Sequence, residues 1–151
     1  MKKVSIFLLA MMCASVVFGQ QKVAVYVTGG QDAAVNKVLG DQLVAAFARS
    51  GKYIAIERTA SFLAELGREQ DYQLTGAVDE SELAELGRQF GVHLVCVAEV
   101  TEVFGQKYIS ARLIDVESAK VLNTANVSNS LDSMNLLMTA AQSIARRLIK
   151  E

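Results

Sequence analysis

HLVCVAEVTEVFGQKYISARLIDVESAKVLNTANVS, residues 93–128, reads as three strands in succession. Apolar and β-branched residues fill about His93–Val103, Lys107–Val116 and Lys120–Ser128, and only Phe104-Gly105-Gln106 and Glu117-Ser118-Ala119 separate them. Gaps this short join antiparallel neighbours, so the run is a meander. Its first strand begins almost wholly apolar, as a strand covered on both faces does, and starts to alternate at Glu99 and Thr101.

On the N-terminal side, Lys22–Thr28 (KVAVYVT) is a further β-branched run, ending at Gly29-Gly30. There the hydrophobic period changes from two towards 3.6. Val35, Val38, Leu39, Leu43, Ala46 and Phe47 recur at helical spacing, with Asp32 placed to cap the helix and Gly51 to stop it. Tyr53–Glu57 (YIAIE) is a short second strand. A short helix is expected over about Ala60–Gln70, carrying Phe62, Leu63 and Leu66, and a polar connection follows. Asp79-Glu80-Ser81-Glu82 opens another helix in the manner of a capping box, with Leu83, Leu86 and Phe90 as its apolar stripe and Gly91 at its end. Leu-Ala-Glu-Leu-Gly-Arg occurs at both 63–68 and 83–88, too few copies for a stacking repeat. After the meander, a last helix from Ser133 sets Met134, Leu137, Met138, Ala141, Ile144, Ala145 and Leu148 on one face. The order β-α-β-α-α-β-β-β-α predicts an α/β (α+β) fold: one domain, with helices packed on a mixed sheet of about five strands.

Residues 1–19 stand apart. Lys2 and Lys3 precede the mostly apolar stretch Val4–Phe18, which is short for a membrane span but suits a secretory signal peptide cleaved after Gly19. Lipidation at Cys13 would need small residues before it, and Met11-Met12 stand there instead. The domain 20–151 is then 48% apolar with a net charge of -3, and no membrane span is expected in it. The implied setting is periplasmic or otherwise exported in a bacterial envelope. That setting is oxidising, yet only Cys96 remains, so no internal disulfide can form.

The inventory excludes much chemistry. One His and so few thiols cannot build a zinc finger or a His-rich metal centre, and the scattered basic residues give no nucleic-acid footprint. His93 and Cys96 would be the natural nucleophilic pair, but residues three apart on a strand project from opposite faces. Glu99 shares a face with His93 at roughly 20 Å, out of reach. Gly29-Gly30 could cradle a phosphate, but neither phosphate-loop pattern is present and Asp32 carries a negative charge to that helix end. Asp79, Glu80, Glu82 and Glu85 form an acidic helix start rather than a calcium loop, and Met134 and Met138 belong to a core stripe. Catalysis would fall to strand acids alone: Glu57, Glu99, Glu102 and Asp115. No catalytic, metal or cofactor residue is assigned, and no small-molecule cofactor is expected.

A resemblance carries the reading further. Leu66-Gly67-Arg68-Glu69-Gln70, Leu74-Thr75-Gly76-Ala77-Val78-Asp79, Leu86-Gly87-Arg88-Gln89-Phe90-Gly91-Val92-His93-Leu94-Val95 and Tyr108-Ile109-Ser110-Ala111-Arg112-Leu113-Ile114-Asp115-Val116-Glu117 together resemble the curli production assembly/transport (CsgG-like) family. The same core resembles the TolB N-terminal domain and the lipoprotein activators of penicillin-binding proteins. The chain lacks an insertion for barrel hairpins, so pore formation is not carried over. Ser118-Ala119 stands where the family places Thr-Gly, so a different turn type is expected, because Ala resists positive φ by about 1 kcal/mol. The resemblance implies a non-enzymatic envelope protein that binds an envelope partner or its own copies, in assembly or secretion. The alternative it implies is an activator of a cell-wall synthase. The binding surface is not legible.

Overall fold

The computed structural model describes residues 19–30, 32–56, 80–128 and 133–149. Val23–Val27 of β1 (Gln21–Gly29) is buried because both faces of the strand are covered, and the strand has a neighbour on each side. These are β2 (Tyr53–Ile56) and β3 (Leu94–Val103), both parallel to it. The meander continues from β3 through β4 (Gln106–Asp115) to β5 (Val121–Ser128), each step antiparallel. The sheet order β2-β1-β3-β4-β5 is the mixed five-stranded sheet expected. Three helices accompany it among the described residues: α1 (Ala33–Arg49), α2 (Glu80–Gln89) and α3 (Met134–Leu148).

Strand alternation divides the core in two. Val23, Val25, Val27, Leu94, Cys96, Ala98, Ile109, Ala111 and Leu113 pack against Leu39, Leu43 and Phe47 of α1 and Leu137, Ala141, Ile144 and Leu148 of α3. Phe47 meets Tyr53 edge to face, with ring centroids 5.4 Å apart. The odd-even partners Ala24, Tyr26, Val95, Val97 and Ile114 form the second cluster, with Val92 and Val116. Here α2 lies close. A Cβ at Gly87 would sit 2.5 Å from Val116 Cγ2 and 3.2 Å from Val95 Cγ2, so the glycine within the Leu-Gly-Arg segment is where helix meets sheet.

The cap expected at Asp32 forms: its carboxylate accepts from the N–H groups of Ala34 (2.8 Å) and Val35 (3.4 Å). Three expectations are corrected. His93 precedes β3 instead of opening it. Its N–H donates to Lys22 O and its C=O accepts from Val116 N–H, which ties it to the ends of two other strands. Met134 is 57% exposed, and Ala140, which the stripe omitted, is buried. Periodicity decides which residues share a face but not how far along a helix the core reaches. The third correction is the β4–β5 turn, where Ala119 adopts φ +55°, so the turn keeps positive φ without glycine. The Asp115 carboxylate accepts from Ser118 Oγ (2.6 Å) and Ser118 N–H (2.8 Å), bonds that hold its carboxyl below the usual range and over-determine the turn. Ala119→Gly is therefore expected to stabilise the fold by about 0.5–1 kcal/mol. Urea unfolding should show a higher midpoint at unchanged slope; a lower midpoint would mean that Ala119 is not strained.

Residues 1–18 of the expected signal peptide, the helix expected at Ala60–Gln70, the first hexapeptide copy, Glu57 and Asp79 lie outside the described residues, as do the side chains of Glu82, Leu83 and Leu86. No helix among the described residues is long and apolar enough to cross a membrane.

Candidate functional site

The groups with most chemical potential are occupied or enclosed. Cys96 points into the larger core cluster at 0% exposure, and burial pushes its thiol up to about 12. A thiol that stays protonated and inaccessible behaves as a small hydrophobe, as the sequence implied. Exposed His93 has its Nδ1 accepting from the Lys22 N–H at 3.0 Å. The structure thus keeps the imidazole and the thiol apart.

Gly29 and Gly30 both have positive φ, +71° and +67°, and form the turn between β1 and α1. An anion entering there would meet amides already taken: Asp32 holds those of Ala34 and Val35, while Asn36 N–H donates to Asp32 O. Asn36 Nδ2 also donates to Gly29 O, fastening the turn to the helix. The site is a built cap.

The acidic start of α2 is likewise tied down. Glu80 pairs with Arg112 of β4, and Glu85 pairs with Arg88 at 2.6 Å. Arg88 Nη1 reaches on to Val116 O at 2.8 Å, so these arginines bind α2 to the sheet. Neither contact is legible in the sequence, because the partners lie 28 and 32 residues away along the chain. No group of three or more potential metal ligands occurs among the described residues. Glu99 lies between Thr28 and Ser110 in the ladder. Glu102 and Asp115 stand at opposite ends of β3–β4, so the strand acids among the described residues do not converge.

What the surface does offer is apolar. Phe104 is fully exposed (103%), Val103 is 53% exposed, and Met134, Leu136, Val121, Leu122 and Ile54 are also exposed. Val103 pairs directly with Gln106, leaving Phe104-Gly105 as a two-residue turn with φ +53° and +75°. Both central residues are left-handed, the geometry that favours Asn-Gly. A Phe in place of the Asn was the signal available in the sequence.

No family model matches the chain, and no curated protein does. The curli-transport resemblance thus has no family match behind it. Solved structures do match. The LpoB C-terminal domain from Escherichia coli is 16% identical with a TM-score of 0.51, covering 82% of this chain and 93% of that one. PelC from Paraburkholderia phytofirmans, a dodecamer, is 15% identical with a TM-score of 0.52, covering 87% and 85%. TolB from Acinetobacter baumannii is 11% identical with a TM-score of 0.55, covering 87% of this chain but 29% of TolB. The chain has the fold seen in LpoB and TolB domains.

Proposed function

We propose that this chain is an exported, non-enzymatic protein that binds and regulates a cell-wall synthase of the penicillin-binding-protein class. The observation that carries the reading is the fold match to the LpoB C-terminal domain across most of both chains. It favours the synthase-activator alternative over curli assembly and secretion. The enclosed thiol, the backbone-bound imidazole and the dispersed acids support a role through protein contact rather than catalysis.

Crosslinking in cells that carry a tagged chain, followed by affinity recovery, should yield one bifunctional cell-wall synthase as a specific adduct. Recovery of no specific partner, or of a secretion component in place of a synthase, would sink the reading.

A further inference from the structure

The β3–β4 hairpin runs past the rest of the sheet. The β1 ladder ends at Gly29–Val100, and the β5 ladder ends at Ser128, opposite Tyr108. Two more rungs, Glu102–Lys107 and Val103–Gln106, continue with no described strand on either side. At about 3.3 Å per residue the tip stands roughly 10 Å beyond Thr101. Phe104, at the end, costs the fold and gains it nothing. Its φ of +53° is unfavourable for a bulky residue, and its full exposure returns nothing through burial. A turn selected for stability alone would place Asn there.

Resting on the function proposed above, we infer that Phe104, with Val103, is the anchor that inserts into an apolar pocket of the synthase. The size of the tip selects a pocket. A buried Phe contributes about 150–250 Å², and two copies meeting tip to tip would fall well short of the roughly 800 Å² per partner of a stable interface. A projecting aromatic in a concave receptor, by contrast, is the usual form of a hot spot. The charge of the tip argues against lipid: Glu102 faces Lys107 across the ladder, so it carries no basic excess to draw it to an anionic surface.

The test uses the processed protein and the purified bifunctional synthases of the same cell. Phe104→Asn should weaken binding at least tenfold while the thermal midpoint rises by a few degrees, a combination that misfolding cannot produce. Leu122→Asn, which changes an exposed side chain at the opposite end of the sheet, should leave binding unchanged. Benzoylphenylalanine incorporated at position 104 should crosslink to the synthase. The inference is overturned if Phe104→Asn binds as tightly as the parent, or if the position-104 crosslinker captures a second copy of the chain. Loss of anionic-vesicle binding in place of synthase binding would overturn it equally. Failure of the unsubstituted protein to bind any synthase overturns the functional reading itself, and with it the assignment of the pocket.

Discussion

Gly29→Ala is expected to lower stability by about 3 kcal/mol or more, the largest effect of any single methyl group considered in this protein. The added Cβ would lie 2.3 Å from the carbonyl oxygen of Val100, its partner in the parallel ladder. Backbone cannot rotate away as a side chain can, so β1 and β3 would have to separate where the central strands meet. The left-handed φ of +71° adds its own penalty. Gly51→Ala separates the two contributions. Gly51 has a comparable φ of +69° but nothing within 4 Å of its Cβ position, so only the conformational cost of about 1 kcal/mol remains. Urea unfolding of both variants checks the difference; equal losses would show that the close approach to Val100 is not rigid.

Raising the pH should destabilise the protein through Cys96. Below pH 9 the thiol is protonated in both states. Above it, the unfolded chain ionises its cysteine at the ordinary value of 9.0, while the buried thiol keeps its proton to about 12. The unfolded state therefore gains on the order of 1 kcal/mol for each pH unit across that window, and stability falls as pH rises. Tyr26 acts in the same direction above its ordinary value of 10.0, because burial pushes its phenol upward against the effect of a hydrogen bond with Thr28. Cys96→Ala should start somewhat less stable at pH 8 and then lose stability less steeply. Parallel pH profiles for the two proteins would contradict the buried-thiol account.

Much of this structure was readable before any coordinates. The succession of elements along the chain, the meander and the cap at Asp32 follow from local signals: alternation, short gaps, and a side-chain oxygen placed ahead of a helix; the order of strands across the sheet does not. The half-covered character of β3 was legible as well, since its apolar run gives way to alternation at Glu99, where the partly exposed positions begin. Long-range pairing was not. Arg112 reaching Glu80, and Arg88 reaching Val116, depend on how α2 lies over the sheet, which no spacing in the sequence encodes. Ala119 shows a different limit. Residue preference argued for another turn, but the Asp115–Ser118 hydrogen bonds hold the left-handed conformation despite its cost. In the sequence Phe104 marks only a turn. Its meaning rests on the conjunction of strain, exposure and projection, which needs the ladder registers.

The proposed action of this domain on a cell-wall synthase by contact is best checked by measuring the rate of glycan polymerisation by each purified bifunctional synthase as the processed protein is titrated in. A saturable increase in rate is expected with one synthase, lost with Phe104→Asn and kept with Leu122→Asn. A rate that stays flat with every synthase at saturating protein would contradict it.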